Sequence, residues 1–302
     1  MCRQLVVLLF CLGVSTTAEA VNQKTGGLVF AVVDGQELML DLYRPKVADD
    51  KQQTTNVTID NATKLPLVIW VHGGAWRAGT RHRVPILRLL EHGYCIASVD
   101  YRLSGQAKFP AAVHDIKSAI RFLSLHADKY RVDPSRIIIA GESAGGHLAA
   151  LVGVSQGVSE LEGSVGELEP TDGKIVAILS FFGASNLNTI LSQSTDHGLR
   201  VRVPALRMFL GAVPSELPEV ARLASPVHHV DGSDPPLWLI HGTADPQMPP
   251  VQSVEFARVY RDMGLKLRLE MIPDAKHGGG VFYTNERLDQ IASELRVESQ
   301  TK

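Results

Sequence analysis

A chain of 302 residues, 45% hydrophobic and 21% charged, can bury a full core and reads as one large globular domain, which excludes intrinsic disorder. A formal charge of -2 with no long Lys/Arg block excludes a nucleic-acid binder, because nothing stands ready to neutralise phosphates. Small neutral or weakly charged ligands fit better.

In chain order, Met1-Cys2-Arg3-Gln4 precede an apolar run from Leu5 to Val14 and a small-residue stretch closing on Ala18-Glu19-Ala20. This is the layout of a secretory signal peptide over residues 1–20, leaving residues 21–302 as the exported domain, in the periplasm or outside the cell. The apolar run is too short for a hydrocarbon core of about 30 Å, so no stable membrane anchor is expected. Removing the signal takes Cys2 and Cys11 with it and leaves Cys95 as a buried structural thiol without a disulfide partner.

Leu28 to Val33 and Glu37 to Tyr43 read as strands joined by a hairpin turn at Asp34-Gly35. A polar loop follows over residues 46–64, with formal glycosylation sequons at Asn56 and Asn61. The apolar runs 67–71, 95–99, 137–140, 175–181, 237–240 and 265–272 have the continuous character of parallel strands covered on both faces. Helical periodicity lies between them at 84–92, 110–127, 143–154, 250–263 and 285–297, with Val113, Ile116, Ile120 and Leu123 on one face of the clearest segment. The alternation predicts a doubly wound α/β sheet. Residues 155–172 read as an exposed loop. Residues 187–230 hold helical pieces punctuated by Pro204, Pro214, Pro218 and Pro226, expected to pack as a small cap above the strand ends.

In an open α/β sheet, chemistry gathers at the carboxyl ends of the strands. Gly141-Glu142-Ser143-Ala144-Gly145 places a serine between a strand and a helix, where the small neighbours relieve a strained turn and expose the hydroxyl. Leu67 to Val71 empties into His72-Gly73-Gly74, whose backbone N–H groups can approach an oxyanion without a Cβ in the way. Two further strands end in loops bearing Asp245 and His277. Serine at neutral pH needs an imidazole to take its proton, and the imidazole needs a carboxylate to fix its tautomer. The order Ser143, Asp245, His277 suits that arrangement, with Gly73, Gly74 and Ala144 as oxyanion donors. Asp274 competes as the acid. His72 and His241 fit structural hydrogen bonds, His147 a packing or cap-facing place, Asp100 a structural role, and Glu142 either solvation or tuning of the site.

With these motifs in hand, the chain resembles the α/β-hydrolase esterases that carry His-Gly-Gly before the nucleophile, and among them the BD-FAE-like carboxylesterases. The resemblance rests on His72-Gly73-Gly74-Ala75-Trp76, Val99 to Leu103, Phe109 to Ala112, Asp133 to Ile137, Gly141 to His147, Ala224-Ser225-Pro226 and His241 to Asp245, and covers roughly residues 26–297. It implies a mostly parallel eight-stranded sheet with helices on both faces and a metal-independent, cofactor-free serine carboxylesterase. The expected substrates are small esters with short acyl or carbohydrate-linked groups, cleaved through an acyl-enzyme. Ser180 to Ser185 departs from relatives, which often carry Pro-Thr-Asp or similar polar residues there. Trp76, Phe182, Leu187 and Met248 are the expected apolar walls of the pocket. The competing readings are a serine peptidase or lipase on the same fold, and a non-catalytic ligand-binding homologue.

Overall fold

Asp34 and Gly35 both adopt positive φ, 50° and 78°, the geometry of a two-residue turn whose twist matches that of its flanking strands. They join β1 (Gln23–Val33) to β2 (Gln36–Arg44), paired antiparallel. In this computed structural model, which describes residues 23–45, 52–54, 57–59 and 63–300, the hairpin forms one edge of an eight-stranded sheet. The expected signal segment, with Cys2 and Cys11, and the Asn56 and Asn61 sequons lie outside the described residues. Within the segment expected as a polar loop, β3 (Gln52–Thr54) and β4 (Val57–Ile59) pair as a separate ribbon, in keeping with the β-branched Val57-Thr58-Ile59 run.

The main sheet continues with β5 (Leu65–Val71), β6 (Cys95–Val99), β7 (Val132–Glu142), β8 (Ile175–Phe181), β9 (Leu237–Gly242) and β10 (Leu267–Ile272). Its order is β1-β2-β6-β5-β7-β8-β9-β10, antiparallel through β2 and β6 and parallel from β6 onward. After β5 the chain steps outward to β6 and then crosses back to β7 on the other side. The strand order therefore reverses at β5, and loops leaving its carboxyl end diverge to open a crevice there.

The connections are α1 (Ala111–Leu125), α2 (Ala127–Tyr130), α3 (Ala144–Val154), α4 (Ser159–Glu162), α5 (Ile190–Gln193), α6 (Asp196–Leu210), α7 (Pro218–Leu223), α8 (Val251–Asp262) and α9 (Asn285–Gln300). Strand β5 shows how they cover the sheet. Leu67, Ile69 and Val71 join one apolar cluster with Val113, Ile116, Ile120 and Leu123 of α1, while Val68 and Trp70 join another with Leu288, Ile291 and Ala292 of α9. Successive side chains of a strand point to opposite faces, so a strand covered on both sides is apolar at every position. Burial of each such side chain is worth about 1.5–3 kcal/mol, which anchors the strand ends that carry the site.

The segment 84–92, expected as a helix, forms only a 3₁₀ turn over Leu87–His92, ended by Gly93 in the left-handed region. Pro204 does not break the cap segment; it lies inside α6, whereas Pro218 and Pro226 sit at the first turns of helical pieces, where a missing N–H costs nothing. Cys95 is free and buried, and burial pushes its thiol up to about 12, which leaves it inert.

Candidate active site

Strand β7 ends at Glu142 and α3 begins at Ala144, so Ser143 makes the whole turn, with φ 54° and ψ -118°. A non-glycine residue held there stores about 1–3 kcal/mol of strain, and the surroundings must impose it. They do so by close packing of backbone on backbone. A Cβ on Gly145 would lie 2.1 Å from the Val71 carbonyl oxygen, and one on Gly141 would lie 2.3 Å from the Gly145 carbonyl oxygen. The two glycines thus let α3 descend onto β5 and β7. The Ser143 N–H donates to the Phe181 carbonyl at 2.8 Å, fixing the turn from the neighbouring strand.

Two loops meet this serine. Ser143 Oγ lies 2.8 Å from His277 Nε2, and His277 Nδ1 lies 2.6 Å from Asp245 Oδ2. The other carboxylate oxygen, Oδ1, accepts the N–H groups of Gln247 and Met248, both at 2.8 Å. The His277 and Asp245 loops are themselves tied together, since the Ala244 N–H donates to the Ala275 carbonyl at 3.0 Å. Burial alone would raise the Asp245 pKa. Hydrogen bonds with His241 and His277, the charge of His277 and the Met248 N–H outweigh that effect and hold the carboxyl below its ordinary range. Asp245 is therefore ionised at neutral pH, and His277 carries its proton on Nδ1 with the Nε2 lone pair facing the serine.

The loop after β5 forms the facing wall. Gly74 has φ 117°, and a Cβ there would meet the Ala78 carbonyl oxygen at 2.0 Å; the following Ala75 and Trp76 also have positive φ, 51° and 59°. The loop coils back on itself and turns backbone toward Ser143. His72 supports it from beneath, donating from Nδ1 to the Gly73 carbonyl at 2.7 Å and stacking on Tyr101 at 4.5 Å. Together these segments enclose a cavity of about 450 Å³, whose walls include Gly73, Gly74, Ser143, Ala144 and His277.

Of the expected apolar walls, Trp76 and Phe182 border the cavity, and the Phe182 ring meets His277 edge to face at 4.8 Å. Leu187 and Met248 do not. They are 0% and 1% exposed in the core behind it, and Met248 serves through its backbone, donating to Asp245 and accepting from His241. Asp274 is exposed and its N–H donates to Thr243 Oγ1, while Asp245 faces the imidazole. His147 is fully buried under the cap segment. Its Nδ1 accepts from Trp76 Nε1 at 3.1 Å and its Nε2 donates to the Ala224 carbonyl at 2.7 Å; burial lowers its pKa to about 4. Asp100 accepts from the Arg81 N–H at 2.9 Å and pairs with the Arg81 guanidinium.

Glu142 borders the cavity and accepts a hydrogen bond from the Tyr283 hydroxyl at 2.6 Å. Four polar wall residues were missed from the sequence: Arg77 and Arg83 after β5, Arg202 on α6 and Gln247 beside the acid. Arg202 lies at helical spacing with Ala205, Leu206 and Phe209 on the buried face of α6, a signal masked locally by the Arg200-Val201-Arg202-Val203 alternation.

The strand order, the strained serine between β7 and α3, and the acid and histidine loops after β9 and β10 define an α/β-hydrolase fold. The chain belongs to the BD-FAE family, whose profile matches residues 56–260. It is 30% identical to esterase LipQ of Mycobacterium tuberculosis over 249 residues, 80% of this chain and 54% of the relative. The chain spans about half the length of the curated relatives it matches. A solved carbohydrate esterase from gut microbiota, in truncated form, superposes with a TM-score of 0.80 at 29% identity, covering 94% of this chain and 99% of that one. An esterase of Thermogutta terrifontis, solved with propionate bound, superposes with a TM-score of 0.69 at 27% identity, covering 93% and 94%.

Proposed function

We propose that the chain is a serine carboxylesterase that hydrolyses small esters through an acyl-enzyme intermediate. The hydrogen-bonded line from Ser143 through His277 to Asp245, opening on the cavity, carries this reading. His277 Nε2 takes the Ser143 proton as Oγ attacks the ester carbonyl, and Asp245 steadies the imidazolium. The N–H groups of Gly73, Gly74 and Ala144 receive the oxyanion, each such donor being worth about 10²–10³ in kcat. The tetrahedral adduct then expels the alcohol, which takes the proton from His277. A water, deprotonated by the same nitrogen, attacks the acyl carbon and returns Ser143 to its free form.

The named activities of the relatives support an ester bond as the target. The carbohydrate esterase supports sugar-linked esters among the substrates, and the propionate-bound relative supports short acyl groups. The reading tests directly: residues 21–302 should hydrolyse p-nitrophenyl acetate and butyrate, and Ser143→Ala should not. Turnover that survives in the variant would refute it. Export forms part of the same proposal on the pattern of residues 1–20. Fractionation of cells expressing the full chain should find it outside the cytoplasm and shortened, and an uncut cytoplasmic product would contradict that.

A further inference from the structure

Arg202 projects from α6 into the wall of the Ser143 cavity and is 5% exposed. A guanidinium buried to this degree normally has its donors met by a carboxylate or by several carbonyls. Here Nη2 donates to the Gln247 carbonyl, and among the described residues Nε has no acceptor. The nearby Asp245 does not supply one, because its oxygens are occupied by His277, His241 and the N–H groups of Gln247 and Met248. Burial lowers the Arg202 pKa to about 10, which leaves the group charged at neutral pH. The rest of the lining does not offset that charge. Arg77 and Arg83 also border the cavity, against Glu142 alone among carboxylates. Glu142 is already engaged by the Tyr283 hydroxyl at 2.6 Å and by Arg83 at 3.7 Å.

We propose that Arg202 is a specificity-determining residue that binds a carboxylate of the substrate, so that the cavity selects esters bearing a negative charge near the scissile carbonyl. The inference rests on the esterase reading and narrows its substrate class. A carboxylate in the cavity offers the guanidinium two charged acceptor oxygens, whereas the matched amide offers one neutral oxygen and an NH₂ that only donates. The charge belongs either to the acyl group or to the alcohol, and the chemistry at Arg202 is the same for both.

Two pairs of matched esters separate these sources: 4-nitrophenyl hydrogen adipate against its terminal amide, and 4-acetoxybenzoate against 4-acetoxybenzamide. The measured quantity is the ratio of kcat/KM, charged over neutral, within each pair. Hydrogen bonds to a charged group predict a ratio of about 10 to 150 in the preferred pair. Preference in the adipate pair assigns the charge to the acyl side, and preference in the benzoate pair assigns it to the alcohol. Arg202→Gln should bring the ratio close to one, and Arg202→Lys should keep part of it. Because each ratio is taken within one protein, a general loss of loop positioning cancels from it. Ratios near one in the wild type for both pairs, or a preference that survives in Arg202→Gln, would overturn the inference and leave the esterase reading intact. No turnover of any of the four esters, or of p-nitrophenyl acetate, would remove both.

Discussion

Replacing Asp245 by Asn perturbs the hydrogen-bonded line at its buried end, and the structure dictates how the amide must sit. Oδ1 accepts two backbone N–H groups at 2.8 Å, and Oδ2 faces His277 Nδ1 at 2.6 Å. An amide has one oxygen and one NH₂ for these two positions. Turning the NH₂ toward Gln247 and Met248 sets donor against donor and leaves both N–H groups unmet, at a cost of about 1–3 kcal/mol each. The oxygen therefore keeps the backbone position and the NH₂ points at His277. Nδ1 must then accept, its proton moves to Nε2, and the nitrogen facing Ser143 can no longer act as a base. The expected loss is about 10⁴ in kcat, roughly 5.5 kcal/mol, with little change in KM or Tm. Steady-state hydrolysis of p-nitrophenyl acetate beside a thermal melt measures it. A folded variant within tenfold of wild type, or one altered only in KM, would refute the tautomer argument.

Three further substitutions probe the frame around the site. Gly145→Ala drives a Cβ to 2.1 Å from the Val71 oxygen, so a loss of about 1–3 kcal/mol is expected in denaturant titration; an unchanged midpoint would contradict the packing of α3 on β5. His147→Leu leaves the Trp76 Nε1–H and the Ala224 carbonyl without their partner beneath the cap segment, at about 1–3 kcal/mol each, and a neutral result would show that this bridge contributes nothing. Asp234 gives a pH test. Burial raises its pKa from 3.8 to about 7, with the Asp231 N–H opposing and the Asp231 charge adding. The folded state then binds the proton more tightly than the unfolded chain, so this stability is present below the unfolded value and is lost as pH rises through about 7. Asp234→Asn should accordingly gain stability over wild type at pH 8 relative to pH 5, and an equal difference at the two values would contradict it.

The strand ends were legible because their signals are local. A β-branched run, two glycines and a serine specify β7, the turn and α3 without reference to the rest of the chain, and strand ends in the right order supplied Asp245 and His277. The Asp34-Gly35 hairpin was legible for the same reason. The walls were legible only in part, at Trp76 and Phe182, because whether other side chains near the site face the cavity or the core depends on how the chain above the sheet is turned. Leu187 and Met248 are apolar and close in sequence to the site, yet burial of apolar surface draws them into the core behind it. Arg202 reaches the cavity from the same face of α6 as Ala205, Leu206 and Phe209, and a charged residue type at one position of an apolar face does not itself announce an inward side chain. Pro204 added to the difficulty by suggesting a break where the helix continues.

If Ser143 is the nucleophile, activated by His277, its hydroxyl should react alone among the serines of the folded chain. Intact mass after treatment with a fluorophosphonate probe tests this most directly, with the modified residue located by peptide mapping. One adduct per chain is expected, on Ser143, appearing in step with loss of esterase activity and absent from both Ser143→Ala and heat-denatured protein. Stoichiometric labelling of another residue, or full ester hydrolysis by a chain that the probe does not modify, would contradict it.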